Sequence, residues 1–193
     1  MSYKFINIQS SYKENNLGKT LYETVLKIKP KKIMEFGVLH GYSTIAMAQA
    51  LRDLGGGHIF AYDLFEDYPY NHGTVKEVAR NLKKYGVEDF VSIKRGNFFN
   101  WLGKQERFDL LHLDISNDGE IITNAVKKLS KFLDLGSVIL FEGGIKARDR
   151  IDWMTKYKKP PMYPLKQKLG YEILNEGFPG LSIIKRTLQY AKK

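Results

Sequence analysis

Short apolar runs alternate with amphipathic stretches along most of this chain, the pattern of βαβ units that feed a parallel sheet. A first helix is predicted over Gly18 to Lys29, with Leu21, Val25 and Ile28 on one face and Pro30 ending it. Ile33-Met34-Glu35-Phe36 reads as a buried strand. A glycine-bearing loop from Gly37 to Gly41 follows, then a helix from Tyr42 carrying Ile45, Ala46, Ala48 and Leu51, stopped by Gly55-Gly56-Gly57. The second strand runs from His58 to Tyr62 and ends at Asp63. A helix from about Thr74 to Tyr85 leads to a third strand, Phe90 to Ile93. The fourth strand, Phe108 to Leu113, ends at Asp114. Ile121, Ile122, Val126, Leu129, Phe132 and Leu133 mark the next helix, and Ser137 to Phe141 the fifth strand, ending at Glu142. A helix near Ala147 to Tyr157, a proline-rich connector from Pro160 to Pro164, and two runs, Tyr171 to Leu174 and Leu181 to Ile184, complete the pattern. The two runs flank Gly177-Phe178-Pro179-Gly180 and read as a closing antiparallel pair.

Acids recur where buried strands end: Glu35, Asp63 and Asp114. Ligands of open α/β sheets bind outside those ends, where a carboxylate is poor packing and a good contact. Gly37 and Gly41 let the first loop take positive φ and pass close to a ligand. Ser43 and Thr44 fall in the first helical turn, near amides free to receive a carboxylate. Asp63 is placed to accept both hydroxyls of a ribose. The loop spacing is G-x-x-x-G, with Leu at position 39, and not the G-x-G-x-x-G that admits a dinucleotide's pyrophosphate.

These segments resemble the class I S-adenosylmethionine-dependent methyltransferases. Glu35-Phe36-Gly37-Val38-Leu39-His40-Gly41 is similar to their motif I, Asp63 to their ribose-binding acid, and Gly96-Asn97-Phe98 to the segment beside the adenine. Phe108 to Asp114 resembles motif IV. Phe141-Glu142 and Asp63 to Pro69 are similar to the small O-methyltransferases related to the catechol and sugar enzymes. The resemblance implies a single Rossmann-like α/β domain with a doubly wound seven-stranded sheet, order 3-2-1-4-5-7-6, the last strand antiparallel. Residues 1–29 would be an N-terminal helical segment, 30–187 the cofactor-binding core and 188–193 a tail. It implies S-adenosylmethionine as cofactor, S-adenosylhomocysteine as product, and Glu35, Phe36, Gly37, Gly41, Ser43, Asp63, Asn97, Phe98 and Asp114 as cofactor-binding residues.

Transfer to a hydroxyl needs an aligned acceptor and a base. Asp114 and His72 are the expected catalytic residues; His112, inside a strand, reads as a core histidine. Gly37→Val and Asp63→Ala are each expected to lower cofactor affinity with little loss of fold. Tyr68, Tyr70, Trp153 and Tyr163 are candidates to wall the acceptor, and Lys146, Arg148 and Arg150 to hold an anionic one. Catechol-type relatives bind Mg²⁺ with an aspartate after strand four and an Asp-Asn pair after strand five. Asp114 fits the first position, but Glu142-Gly143 stands where the pair would be, so no metal ligands are assigned and magnesium stays an open alternative.

Composition narrows the classes. The 193 residues contain no cysteine, which excludes disulfides, thiolate catalysis and cysteine-type zinc sites. The apolar runs are too short to span a membrane, and the start lacks the pattern of a signal peptide, so the expected location is cytoplasmic. A net charge of +10 makes a nucleic acid the alternative acceptor, although the place after strand four reads Asp114-Ile115-Ser116-Asn117 and lacks the motif of base-amine methylases. A non-catalytic cofactor-fold binding protein is the third reading; the oligomeric state is left open.

Overall fold

The computed structural model describes residues 2–104, 106–129, 133–134 and 136–185. Phe132, residues 186–187 of the expected core and the expected 188–193 tail lie outside the described residues. The elements run α1 (Leu17–Ile28), β1 (Lys32–Phe36), α2 (Tyr42–Leu54), β2 (His58–Asp63), α3 (Val75–Tyr85), β3 (Val91–Arg95), α4 (Phe98–Trp101), β4 (Leu110–Leu113), α5 (Gly119–Leu129), β5 (Val138–Glu142), α6 (Asp152–Lys156), α7 (Lys166–Leu169), β6 (Glu172–Asn175) and β7 (Leu181–Lys185).

The sheet has the expected order, β3-β2-β1-β4-β5-β7-β6. Strands β1 to β5 are parallel, and β7 is antiparallel to both β5 and β6. Residues alternate between two cores. Ile33, Ile59, Ala61, Leu110, Val138 and Leu140 face a layer formed by α1, α2 and α3. Met34, Phe36, Leu111, Leu113, Ile139 and Phe141 face the opposite layer, with Phe98, Trp101, Ile122, Val126 and Leu169. Both faces of β1, β4 and β5 are covered, which is why those strands read as continuous apolar runs.

Local signals set most boundaries. Thr74 caps α3 by accepting the Glu77 N–H at 3.0 Å, and Gly86 ends it in the left-handed conformation. Lys29, also left-handed, closes α1 just before Pro30. The expected helix over 147–157 is broken: Arg148–Arg150 form a 3₁₀ turn, and α6 is a separate piece of 5 residues. An extended Ile151 divides them, and Asp149 faces away to accept the Met162 and Tyr163 N–H groups at 2.9 and 2.8 Å, tying the turn to the proline-rich connector. The N-terminal segment is not merely a lead-in to α1. Ile6, Ile8 and Tyr12 are buried in the α1/α2 core and carry it across the carboxyl edge of the sheet. Among the described residues no helix is long and apolar enough to cross a membrane.

Candidate functional site

The strand order reverses between β1 and β4, the place where open parallel sheets leave a crevice. A cavity of about 380 Å³ lies there, a size that suits a small-molecule ligand. Its wall is built from the loops after four strands. Gly37 to His40 follow β1, Asp63 and Leu64 end β2, Gly96 to Phe99 follow β3, and Asp114 to Ser116 follow β4. His72 and Tyr68 from the long loop after β2 border it, and Gln9, Ser10 and Ser11 of the N-terminal segment close it from the side.

Gly37 is required twice over. Its φ is +90°, and a Cβ there would lie 1.8 Å from the Asp114 carbonyl oxygen. The loops after β1 and β4 therefore touch backbone to backbone, reinforced by the Asp114 N–H donating to the Phe36 carbonyl at 2.8 Å. Asp63 shapes the same loop from the other side. Its Oδ2 accepts the Val38 and Leu39 N–H groups at 2.7 and 3.0 Å, and its Oδ1 accepts the Phe65 N–H at 3.1 Å. A carboxylate offers about four acceptor positions, so three amides leave it little more than one for a ligand. Asn97 caps α4, its Oδ1 accepting the Phe99 N–H at 2.7 Å, which leaves its Nδ2 as a donor. Phe36 stacks on Tyr62 with ring centres 5.0 Å apart and meets Phe98 edge-on at 5.1 Å, a flat apolar wall beside Asn97.

Of the sequence-derived cofactor residues, Phe36, Gly37, Ser43, Asp63, Asn97, Phe98 and Asp114 border one cavity; Glu35 and Gly41 do not. Glu35 is not at the strand end but within β1, fully buried on the α2 side. Its carboxylate accepts from Ser43 Oγ at 2.6 Å and Thr44 Oγ1 at 2.5 Å, and faces His112 Nδ1 at 3.1 Å. Ser43 and Thr44, expected beside amides free to receive a ligand's carboxylate, turn their hydroxyls inward to this one. Gly41 serves the chain itself: at φ +89° it starts α2, and a Cβ would meet Val78 Cγ1 at 3.4 Å. Trp153 and Tyr163 stand away from the cavity, stacked under Arg148 at 5.2 Å and Lys146 at 5.1 Å; Tyr70 is 73% exposed and packs edge-on against Tyr68.

His72 borders the cavity with its Nδ1 against the Tyr70 carbonyl at 2.7 Å, leaving Nε2 outward. Asp114 sits at the inner end. Burial raises its pKa above the usual carboxylate range, against the pull of His112, the Tyr12 hydroxyl and Arg148. Tyr12 reaches this spot from the N-terminal segment, its hydroxyl 3.3 Å from His112 Nε2. The sequence reading missed this segment. The Ile6-x-Ile8 alternation followed by Tyr12 was the available signal, too short to say which edge it covers.

Behind Asp114 lies a second acid. Glu142 ends β5 and is buried against the Arg148 guanidinium, whose Nε donates to its Oε1. Burial and the neighbouring Asp114 carboxylate push Glu142 up to about 8, with Arg148 opposing and Asp149 adding to the rise. A raised folded pKa favours the native state most below the unfolded value of 4.5 and progressively less as pH climbs through 8. We expect the urea midpoint to fall between pH 6 and 8.5, and Glu142→Gln to flatten that slope relative to the parent. Equal slopes in the two proteins would contradict this.

These residues do not fit the magnesium site of the catechol-type relatives, the alternative left open above. Among the described residues no group of three or more His, Cys, Asp or Glu side chains is placed to hold a metal. Gly143 offers no side chain where the family has an asparagine, and Glu142 is taken by a guanidinium.

Residues 34–142 match the family described as a methyltransferase domain. The chain belongs to this methyltransferase-domain family. Among curated proteins it is 28% identical over 160 residues to caffeoyl-CoA O-methyltransferase 1 of Eucalyptus globulus, covering 80% of this chain and 58% of that one. It is 27% identical over 135 residues to catechol O-methyltransferase B of Danio rerio, covering 66% and 48%. The chain thus spans about half the length of the curated relatives it matches. Among solved structures, the S-adenosylhomocysteine-bound methyltransferase PaMTH1 of Podospora anserina superposes with a TM-score of 0.67 at 22% identity, covering 93% of this chain and 80% of that one. The O-methyltransferase of Bacillus cereus in complex with SAH gives 0.65 at 18%, covering 94% and 84%. At these identities the superpositions establish a shared methyltransferase fold. The matched segment begins in β1 and ends with β5, so every cavity-lining strand end lies inside the methyltransferase domain. Gln9 to Ser11 and the Arg148 turn lie outside it.

Proposed function

We propose that this chain transfers the methyl group of S-adenosylmethionine to a hydroxyl of a small molecule. The observation that carries the reading is the cavity at the β1/β4 switch point, where a glycine turn, an acid ending β2, a polar residue capped onto a helix after β3 and an acid after β4 converge. Family membership and the O-methyltransferases named above support the same reading.

When bound, the cofactor supplies a sulfonium methyl already activated for displacement. The protein's work is binding, alignment and removal of one proton. Gly37 gives the cofactor a side-chain-free approach over β1. The remaining acceptor position of Asp63 serves a ribose hydroxyl, and the Phe36–Phe98 wall with Asn97 Nδ2 receives the adenine, Nδ2 donating to a ring nitrogen. Asp114 faces the acceptor and takes its proton; its raised affinity for protons suits that role. His72, with Nε2 outward on the loop rim, is placed to contact the acceptor. Tyr68 and Phe99 offer apolar edges at the mouth, whereas Lys146 and Arg150, exposed after β5, do not border the cavity and would meet only an anionic group that extends beyond it.

Calorimetric titration with S-adenosylhomocysteine tests the first half, and label transfer from methyl-labelled cofactor to catechol and caffeoyl-CoA the second. Absence of any heat and of any thermal shift would remove the reading. Asp63→Ala should weaken S-adenosylhomocysteine about 10- to 100-fold, since a charge-assisted contact is lost, and lower stability by about 1–2 kcal/mol because three amides lose their acceptor. Calorimetry and urea titration read the two effects separately; unchanged affinity would move the ribose elsewhere.

A further inference from the structure

Arg148 is only 5% exposed, yet it stands immediately behind the acid that faces the proposed acceptor. Its Nε is spent on Glu142, and its Nη2 reaches the Asn117 carbonyl at 3.4 Å. Its Nη1 is buried with no partner, and so is the Oδ1 of Asn117. A buried guanidinium donor left open is costly unless something completes it. The two open atoms belong to residues joined through the Asn117 main-chain carbonyl, one a donor and the other an acceptor. The open guanidinium N–H needs an acceptor such as a hydroxyl or a water, and a cation cannot supply one.

The surroundings hold this guanidinium in place. Trp153 lies under its plane at 5.2 Å, and Asn117 Nδ2 donates to the Leu113 and Glu142 carbonyls at 2.8 and 3.0 Å, tying the ends of β4 and β5 together around it. Gly143, at φ +103°, passes so close to Arg148 and Met162 that a Cβ would lie 3.3 Å from Arg148 Cγ and 2.3 Å from Met162 Cε. A side chain at 143 would carry the strain of the positive φ and would have to push the Met162 methyl aside, with only a slight squeeze on Arg148.

We propose that the acceptor site is independent of divalent metal: the Arg148 guanidinium, fixed on Glu142, is the site's own positive charge beside Asp114, where the resembled enzymes bind a cation. The proposal rests on the methyltransferase reading. An arginine keeps its charge at any working pH and, set behind Asp114 and outside the cavity lining, acts on that acid without a loading step. One fixed positive charge between two acids also leaves no site for a dication, which would have to displace the guanidinium from Glu142 and from its stacking on Trp153.

The test is a Mn²⁺ titration followed by electron paramagnetic resonance, with S-adenosylhomocysteine calorimetry on the same samples. The parent protein should bind S-adenosylhomocysteine and show no saturable Mn²⁺ site below about 5 mM, whereas Arg148→Ala frees the Glu142 carboxyl beside Asp114 and should bind Mn²⁺ at least about tenfold more tightly. Arg148→Lys keeps the charge and should exclude the ion as the parent does, which holds the test open if the alanine protein fails to fold. Saturable Mn²⁺ binding by the parent at sub-millimolar concentration, alongside normal S-adenosylhomocysteine heat, overturns the proposal and leaves the methyltransferase reading standing. Absence of S-adenosylhomocysteine heat in the folded parent overturns the methyltransferase reading itself.

Discussion

Gly37→Val is expected to lose about 3–5 kcal/mol of folding stability and all measurable affinity for S-adenosylhomocysteine. Two costs add. The residue sits at φ +90°, where a β-branched side chain is strained, and its Cβ would enter the carbonyl of Asp114 at 1.8 Å. Neither neighbour can yield, because both are backbone held by the sheet: the Gly37 N–H donates to the Tyr62 carbonyl at 3.0 Å and the Asp114 N–H to the Phe36 carbonyl. Urea unfolding should show the shift directly. Gly37→Ala should show most of it, since the Cβ alone makes the clash. Gly41→Ala is the control, with a similar φ but a Cβ contact no closer than 3.4 Å; it should cost only about 1–2 kcal/mol. A Gly37→Val protein with a normal urea midpoint would mean the loops after β1 and β4 are not in contact. The sequence reading expected a loss of affinity with the fold intact. That division fails because a single glycine both opens the cavity and lets two strand ends meet.

What was legible in the sequence follows from range. The strands were readable because β1, β4 and β5 are buried on both faces, and their runs of Ile, Leu, Val and Phe need no partner to be recognised. The strand order was readable only through the resemblance, since periodicity is silent about which strand lies beside which. Asp63 and Asp114 were found because they end strands, and the parallel sheet carries both ends to one edge. Their occupancy was not. Nothing local says that Asp63 already holds three amides, or that Asn97 spends its oxygen on Phe99. The Arg148 turn was misread for a similar reason. Its apolar positions fit a helix, but Asp149 and Arg148 are each captured by distant partners, Met162 and Tyr163 for one and Glu142 for the other. Tertiary contacts of that kind override local propensity.

Glu35 is the residue on which sequence logic and geometry part most clearly, and its replacement separates a ligand contact from an internal brace. Glu35 and His112 are register partners on adjacent strands, β1 and β4, both one residue short of the strand end and both on the α2 side. Ser43 and Thr44 lie above them in the first turn of α2, so one carboxylate ties two strands to a helix N-terminus. Glu35→Ala removes the acceptor from three buried donors at once and should cost about 3–5 kcal/mol. Glu35→Gln keeps an acceptor oxygen and the volume, and the two hydroxyls can rotate to accept from its amide. It should cost about 1–2 kcal/mol and leave S-adenosylhomocysteine affinity within about threefold of the parent. A cofactor ligand would give the reverse order: a near-normal urea midpoint for both variants and a large affinity loss in each. The brace reading also requires the damage to reach the cavity only through α2. Cofactor binding in Glu35→Ala should therefore weaken in step with the loosening of Ser43, which borders the cavity, as read by amide exchange in the first turn of that helix.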